Sequence, residues 1–277
     1  MQLSLFFPAS YDRFFNMNLI VGFAGIVVTR GTSIWTRGFG ADMSDGSGNS
    51  FGVEFDPMSD RSTVGTDGGR FSLPGGITWQ ENADVTTTGA AVVGLGPNSA
   101  FIAKHQIVTF MPTKGKMIVG PFDASPACRE GRMSFAPQAA NATRWKIPLV
   151  WNATFFGIET VNFDISFRED VFSVPHRLSR AFYLYLQRQI SIYSDRGDTY
   201  TLTSARADMP TIRLLMDAYE LQLTSRDYMM SNQLAGEIYT SFYSSYMRDP
   251  VLPNSVMKRM IVQFDALNDR VGICNPK

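Results

Sequence analysis

Two carboxylates alternate in the stretch FGVEFDP, residues 51–57, with a spacing that suits chemistry. Glu54 and Asp56 are two positions apart, so on a β-strand both side chains point to the same face. Paired carboxylates on one face bind Ca²⁺ or act as the acid and base of glycoside hydrolysis. Trp79 and Trp151 are aromatic residues that could extend such a site as a platform for a sugar ring. The stretch therefore raises the hypothesis of a carbohydrate-binding or carbohydrate-cleaving β-sandwich protein.

The same stretch resembles the Val-Glu-Phe-Asp strand of legume-type lectins, in which the Glu and the Asp bind metals, and more loosely the Glu-x-Asp strand of some β-sandwich glycosidases. This resemblance implies a metal site at Glu54 and Asp56 with a carbohydrate ligand. The chain lacks the downstream Asp and Asn cluster of the lectins and the second Glu of the glycosidases. We therefore interpret the pair as a solvated strand face and keep the carbohydrate hypothesis as the alternative.

The Gly-Lys pair in IVTFMPTKGKMIVGPF, residues 107–122, stands where a phosphate-binding loop would have one. Such a loop also requires glycine five positions earlier, for close approach of the backbone, and Ser or Thr after the lysine to hold Mg²⁺. Phe110 and Met117 occupy those places. Apolar runs on both sides of Thr-Lys-Gly-Lys predict instead a β-hairpin with Lys114 and Lys116 at its tip.

The stretch AAVVGLGPNSAF, residues 90–101, imitates a dinucleotide-binding fingerprint, with Gly94, Gly96 and Ser99 in the positions of its three small residues. The fingerprint requires a helix directly afterwards and an acidic residue about 20 positions further on. The sequence that follows, IAKHQIVTF, is rich in β-branched residues and predicts a strand. No acidic residue stands at the ribose position, so the pattern predicts a plain glycine turn.

His105 and His176 are the two histidines of the chain. Two imidazoles exclude a histidine-rich metal site and leave little means of activating a nucleophile. Ser173 and Ser179 lie near His176 in sequence without forming the signature of a catalytic triad. We expect both histidines to be structural. We predict that the protein is not an enzyme and that it has no catalytic, cofactor-binding or metal-binding residues and no cofactor.

The composition of the chain favours contacts with other proteins. Its 25 basic and 25 acidic residues give a net charge of +0 at pH 7, which argues against direct binding of nucleic acid. Of the basic residues 19 are Arg and 6 are Lys, and the chain has 21 Phe and 14 Met. Arg, aromatic residues and Met are enriched at interface cores, whereas Lys is depleted there. Biased codon usage in the genome is the alternative explanation.

The cysteines and the N-terminal residues indicate the compartment. Cys128 and Cys274 are the only cysteines, far apart in sequence, and they predict neither a zinc site nor a disulfide framework, hence a reducing compartment.

Tripeptides that begin at Asn141 and Asn152 match the N-glycosylation pattern, but we expect them to be unmodified. The apolar run LIVGFAGIVV, residues 19–28, is too short to span a bilayer and predicts a strand. With no signal peptide expected, we predict an intracellular protein.

Glycine divides the chain into two parts, because 20 of its 23 glycines lie in residues 1–176. Before Pro175, short apolar or alternating runs recur between turn residues and predict an antiparallel, jelly-roll-like β-sandwich over residues 19–175. After Pro175, the apolar period lengthens and predicts a small helical-bundle domain over residues 176–277. The predicted fold class is therefore α+β by segment, with residues 1–18 packing on the helical domain.

Four helices are predicted in the second part, each from apolar residues that recur every three or four positions. The second is expected to begin at Asp208 and the fourth at Asn254 or Ser255, since these residue types cap helix N-termini. The third is expected to begin after Ser231, and the fourth to end before Gly272. The predicted apolar faces are Leu178, Phe182, Leu186 and Ile190; Leu214, Leu215, Ala218 and Leu221; Leu234, Ile238 and Phe242; and Met257, Met260, Ile261, Phe264 and Leu267.

A jelly-roll followed by a helical domain resembles, in layout, the trimeric shell proteins of double-stranded RNA viruses of the reovirus kind. That resemblance implies a homotrimer arrayed with other shell proteins in an icosahedral layer. It also implies no cofactor, no direct contact with the genome, no membrane span, and a location in the virion or the host cytoplasm without secretion. A scaffold protein of a large cellular complex would have the same sequence features.

Overall fold

The computed structural model shows a strand-rich protein with four α-helices and one short 3₁₀ helix, Pro112–Lys114, among the described residues. The described residues are 20–22, 25–27, 33–35, 40–44, 50–60, 63–64, 71–73, 77–79, 91–139, 141–167, 172–189, 192–196, 199–202, 209–232, 237–240, 242–244 and 249–277. The segment 1–18, predicted to pack on the helical domain, lies outside them.

The helices are α1 (Ala100–His105), α2 (His176–Gln189), α3 (Ser225–Tyr228) and α4 (Asn254–Met257). The strands are β1 (Ile20–Gly22), β2 (Gly25–Val27), β3 (Ser33–Trp35), β4 (Gly40–Ser44), β5 (Ser50–Asp56), β6 (Thr63–Val64), β7 (Phe71–Leu73), β8 (Ile77–Trp79), β9 (Ala91–Gly94), β10 (Ile107–Met111), β11 (Lys116–Val119), β12 (Ser134–Pro137), β13 (Lys146–Ala153), β14 (Gly157–Ile165), β15 (Phe172–Val174), β16 (Ile192–Arg196), β17 (Thr199–Leu202), β18 (Ile212–Met216), β19 (Tyr219–Leu223), β20 (Met229–Asn232), β21 (Glu237–Thr240), β22 (Phe242–Ser244), β23 (Val251–Leu252), β24 (Ile261–Asp265) and β25 (Arg270–Cys274).

A six-stranded antiparallel sheet has the order β12-β25-β24-β10-β11-β3. Its β10–β11 hairpin confirms the prediction for the Gly-Lys stretch: Phe110 pairs with Met117, and Lys114 and Gly115 lie in the connection. Gly115 adopts the left-handed conformation with φ 55°, which glycine accepts without steric cost. The turn is therefore a strand connection and not a loop wrapped around a phosphate.

The register between β10 and β24 is marked by a buried polar pair. Thr109 lies directly opposite Gln263, and the Gln263 Nε2 amide donates a hydrogen bond of 2.8 Å to Thr109 Oγ1. Both residues are buried. Because side chains alternate between faces, a slip of one residue would separate this pair and turn Phe110 out of the core.

A seven-stranded mixed sheet has the order β19-β18-β13-β14-β23-β15-β22, with parallel pairs β14–β23 and β15–β22. Trp151 of this sheet packs edge-on against Phe172, with 6.0 Å between the ring centroids, and Phe182 of α2 lies 5.0 Å from Phe242. The inward side chains of the two large sheets belong to one core cluster, joined where Trp145 lies 5.3 Å from Phe264. This strand-rich, sandwich-like content agrees with the coarse prediction of a β-sandwich.

Smaller sheets complete the described structure. The four-stranded sheet β4-β5-β9-β6 joins the same core, since Phe55 lies 5.3 Å from Phe110 between ring centroids. A second four-stranded sheet has the order β16-β17-β21-β20, and β1–β2 and β7–β8 are separate antiparallel pairs. The run 19–28, predicted as a single strand, contains the two short strands β1 and β2, which pair with each other.

The predicted helical bundle over residues 176–277 is wrong for most of its described residues. The first helix is confirmed as α2, with Leu178, Phe182 and Leu186 buried on one face. The second predicted helix is the hairpin β18–β19, because apolar residues alternate on both sides of a turn at Asp217, whose φ is 50°. The third is replaced by β21 and β22, and the fourth shortens to the single turn α4 before the β24–β25 hairpin.

Strands from both sides of Pro175 pair with one another. β10 and β12 precede this residue and pair with β24 and β25, which follow it. β13 pairs in the same way with β18. The two predicted segments, 19–175 and 176–277, thus share both large sheets.

A disulfide joins Cys128 to Cys274 across a sequence separation of 146 residues. The sequence predicted no such bond, because nothing in the spacing of two distant cysteines shows that the fold brings them together. The bond lies in a second core cluster, where the segment 121–133 covers the outer face of the six-stranded sheet. Met111 and Ile261 of that sheet are buried beneath the segment. The argument from unpaired cysteines for a reducing compartment therefore no longer holds.

Replacing both Cys128 and Cys274 by Ser should lower the free energy of unfolding by about 2–4 kcal/mol, because the crosslink restricts the unfolded chain. Urea unfolding under non-reducing conditions measures the change. As the control, a reducing agent should lower the midpoint of the natural chain and leave that of the double variant unchanged. Equal midpoints for both proteins without reductant would show that the cysteines are not paired.

Replacing Thr109 by Val should lower the free energy of unfolding by about 1–3 kcal/mol, because the buried amide of Gln263 loses its acceptor. The matched variant Thr109→Ser keeps the hydroxyl and should be less affected. Adding Gln263→Leu to Thr109→Val removes both polar groups and should recover part of the loss. Urea unfolding of the four proteins gives the coupling, and a Val variant as stable as the natural chain would disprove a role for this pair.

Candidate functional site

The carboxylate pair at Glu54 and Asp56 lies on β5, the strand between β4 and β9. Asp56 is half-buried, and its Oδ1 accepts a hydrogen bond of 2.9 Å from the backbone N–H of Met58. The backbone carbonyl of Asp56 accepts a second bond, of 2.8 Å, from the N–H of Leu95. Asp56 therefore stabilises the turn that ends the strand, while the side chain of Glu54 lies outside the described part of the structure.

The other parts of the carbohydrate hypothesis gain no support. Trp151, considered as a sugar platform, is 1% exposed and packs between Phe172 and Phe242 in the core. The side chain of Trp79, the other candidate, is not described. Within the described ranges, no three His, Cys, Asp or Glu side chains are grouped so that they could hold a metal ion.

The glycine turn after β9 leads into helix α1, which corrects the prediction of a strand directly after it. Ser99 caps the helix, since its side chain accepts a hydrogen bond of 3.2 Å from the N–H of Ile102. Ser followed by a run of helix-compatible residues is the sequence signal for this cap. The predicted strand begins only at Ile107, so β9, the turn and α1 have the order of a dinucleotide-binding unit.

The backbone amides of this turn are nevertheless occupied by protein atoms. The N–H groups of Leu95 and Gly96 each donate a bond of 2.8 Å, to the carbonyls of Asp56 and Ser59. The N–H of Asn98 donates a bond of 3.1 Å to Asp60 Oδ1. A Cβ at Gly96 would lie 2.2 Å from this same carboxylate oxygen and 3.0 Å from the backbone of Ser59, so a larger residue would displace Asp60 from its bond with Asn98. A carboxylate in this place repels phosphate, and the turn is structural.

His105, the last residue of α1, is buried with its ring 4.6 Å from that of Phe101. Burial lowers the pKa of His105 to about 4, and the neighbouring charge of Lys104 acts in the same direction. The imidazole is therefore neutral near pH 7 and packs as an aromatic ring. His176 is half-buried at the start of α2, where the next residue, Arg177, forms an ion pair with Glu159.

Two buried carboxylates that the sequence did not single out each pair with an arginine. Asp164 is fully buried, and Arg144 Nη1 lies 2.8 Å from its Oδ2. Asp265 accepts hydrogen bonds from Asn268 and, at 2.6 Å, from Arg270 Nε across the β24–β25 turn. Both acids are compensated by a guanidinium, as burial of a charge requires. Their sequence positions give no signal, since their partners lie on other strands or turns.

The remaining candidate is a surface, which we name the outer sheet face. It consists of the side chains of β13, β14, β18 and β19 that point away from the core, because their alternate neighbours are buried. The strand registers place these side chains in rows across the four strands. Its members are Pro148, Val150, Asn152, Ile158, Thr160, Asn162, Arg213, Leu215, Glu220 and Gln222.

The outer sheet face has apolar side chains with polar ones around them. Ile158 is 72% exposed, the largest value among the exposed large hydrophobic residues of the described chain. Val150 and Leu215 are cross-strand partners and half-buried. Arg213 forms two hydrogen bonds with Glu220, of 2.7 and 2.8 Å, and this pairing raises the pKa of Arg213 and lowers that of Glu220. An apolar centre with a polar rim is the composition of a protein interface.

The adjacent edge of this sheet is capped by side chains. In the described chain β19 is the last strand on that side, and its carbonyls at Glu220 and Gln222 accept hydrogen bonds from Asn275 Nδ2 (3.0 Å) and Arg259 Nη2 (3.1 Å). Arg259 is held in turn by Asp227, 2.5 Å away. Occupied carbonyls are a means of preventing another strand from joining an edge.

No protein-family model matches the chain, and no curated protein matches it significantly. Within the described residues, no helix has the length and apolar character that a membrane crossing requires.

Lowering the pH from 7 to 5 should lower the free energy of unfolding by roughly 2 kcal/mol through His105 alone. The folded pKa of about 4 lies below the ordinary value of 6.5, so the unfolded chain takes up the proton first. The contribution is therefore intact above the unfolded pKa and is lost as the pH falls toward the folded pKa. Urea unfolding at both pH values, compared with the variant His105→Leu, isolates this effect. Equal pH dependence in both proteins would contradict it.

Proposed function

We propose that this chain is a structural protein that self-assembles, as a viral capsid shell protein that forms trimers in an icosahedral layer. The observation that supports this proposal best is the outer sheet face, which carries the exposed Ile158 and the half-buried cross-strand pair Val150 and Leu215. An exposed apolar group of this kind on an ordered sheet gains free energy when a second surface removes it from water.

The use of polar side chains in the described residues points in the same direction. Asp56 and Asp60 support a turn, Asp164 and Asp265 are paired with guanidinium groups, and the His105 ring is packed in the core. Groups that could act as acids, bases or ligands are thus engaged in maintaining the fold. A protein whose polar chemistry supports its shape is suited to a structural role.

The capped edge of β19 favours contacts made through faces. Strand addition at an open edge continues without closure and leads to fibres, whereas a closed shell requires contacts of fixed geometry. Side chains from Asn275 and Arg259 occupy the outward carbonyls of this strand. We propose that subunits meet through the outer sheet face and that the ion pair of Arg213 and Glu220 belongs to its polar rim.

The resemblance to double-stranded RNA virus shell proteins has two parts, a jelly-roll sandwich and a helical base, and the proposal keeps only the first. The jelly-roll order of the sandwich is kept as part of the proposal, although the seven-stranded sheet and the sheet β4-β5-β9-β6 contain parallel pairs. A helical base is not part of it, because residues 212–223 and 261–274 form hairpins. The proposed assembly therefore relies on sheet surfaces.

Replacing Ile158 by Asp should dissociate the assembled protein, because a carboxylate within a contact must lose its water on association. We expect association to weaken by about 2 kcal/mol or more, the effect typical of a hot-spot residue. Light scattering of the purified protein measures the change, from three times the mass of one chain, or larger, to the mass of one chain.

The matched control is Leu267→Asp, at an aliphatic residue that is 53% exposed in the β24–β25 turn. This variant should keep the mass of the natural protein, because its side chain does not belong to the outer sheet face. A natural chain that is monomeric at all concentrations would overturn the proposed function. Equal dissociation by both variants would disprove the assignment of the interface.

A further inference from the structure

Asn141 lies in an exposed turn that suits a modification. It begins the tripeptide Asn-Ala-Thr, and both Asn141 and Thr143 are exposed. The N–H of Ala142 donates a hydrogen bond of 3.0 Å to the carbonyl of Ala139, which closes the turn. Asn141 itself adopts the left-handed conformation, with φ 61°, which Asn tolerates better than most residues. An exposed turn is where the acceptor tripeptide of N-glycosylation is accessible.

The disulfide between Cys128 and Cys274 is an independent observation about the compartment. Disulfides form and persist in oxidising surroundings, such as the lumen of the secretory pathway, and are rare where glutathione keeps thiols reduced. Both sulfurs are buried in the second core cluster, so the bond belongs to the folded structure. The chain therefore has the redox chemistry of a protein that folds in the compartment where N-glycans are attached.

We propose that Asn141 is N-glycosylated and that the chain folds in an oxidising lumen. The Asn141 amide nitrogen forms a bond to C1 of the first sugar of a lipid-pyrophosphate-linked oligosaccharide. The bond from that carbon to the pyrophosphate oxygen breaks, the lipid pyrophosphate leaves, and the amide loses one proton. The Cys128 and Cys274 thiols give two electrons and two protons to the disulfide of an oxidoreductase, which becomes a dithiol. This inference replaces the reducing compartment expected from the sequence and does not depend on self-assembly.

The second tripeptide serves as the contrast. Asn152 lies in β13, where it pairs with Ile158 on one side and with Arg213 on the other. It is half-buried in the outer sheet face, and no turn presents it to an enzyme. The inference therefore assigns the glycan to Asn141 and excludes it from Asn152.

The test uses threonine variants, because replacing Asn141 would also disturb its left-handed backbone. Thr143→Ala removes the first acceptor tripeptide and leaves Asn141 in place, and Thr143→Ser preserves the pattern. Thr154→Ala removes the second tripeptide at a residue that is also exposed. The chain and the three variants are produced in eukaryotic cells. Each is treated with peptide N-glycosidase and analysed by gel mobility and peptide mass spectrometry.

We expect a mobility shift on enzyme treatment for the natural chain, Thr143→Ser and Thr154→Ala, and none for Thr143→Ala. Conversion of Asn141 to Asp by the enzyme should identify the position. Thiol labelling of the same material should find both cysteines oxidised. A natural chain without a glycan, or a shift lost in Thr154→Ala and kept in Thr143→Ala, would overturn the inference. The oligomeric mass is measured separately, so its outcome decides the proposed function without bearing on the glycan.

Discussion

The six-stranded antiparallel sheet depends on the pairing of β10 with β24. This pairing brings residues 107–111 beside residues 261–265, and the entropic cost of closing so long a loop must be offset by burial. Val108 and Phe110 enter the main core on one face with Val262 and Phe264 opposite them. On the other face Thr109 and Gln263 form the buried hydrogen bond that fits only one register. Once this pair is formed, β11 and β25 add to it as short-range hairpins.

The C-terminal strands then stabilise three regions that are distant in sequence. Cys274, at the end of β25, bonds to the segment 121–133 and holds it over the outer face of the sheet. Asn275 donates to the edge carbonyl of Glu220 and also to Glu130 Oε1. These contacts connect the six-stranded sheet to the capped β19 edge of the seven-stranded one. Loss of the β10–β24 register would therefore disturb the segment 121–133, the capped edge at β19 and the main core together.

Local patterns predicted what local interactions determine. The β10–β11 hairpin follows from its turn residues, and α2 follows from apolar residues at Leu178, Phe182 and Leu186. The hairpin β18–β19 was missed because its leucines satisfy a helical period and a strand alternation at once, and strand partners decided between them. No local pattern predicts the disulfide between Cys128 and Cys274 or the capping of the Glu220 carbonyl, because both depend on contacts between segments distant in sequence. The outer sheet face could not be predicted for the same reason, because only the strand registers show which side chains share it.

Most of the candidate polar groups maintain the fold, and this leaves the outer sheet face as the candidate contact surface. The Asp56 carboxylate, which resembled a metal-binding group, stabilises a turn, the buried Asp164 is compensated by the guanidinium of Arg144, and Trp151 fills the core. What remains for a partner is a sheet face whose backbone hydrogen bonds are already satisfied by β13, β14, β18 and β19. In the proposed assembly a second subunit would therefore contact this face only through side chains, and the specificity would come from Ile158 and the Arg213–Glu220 pair. Such a contact has a fixed geometry, which is the property that repeated assembly of identical subunits requires.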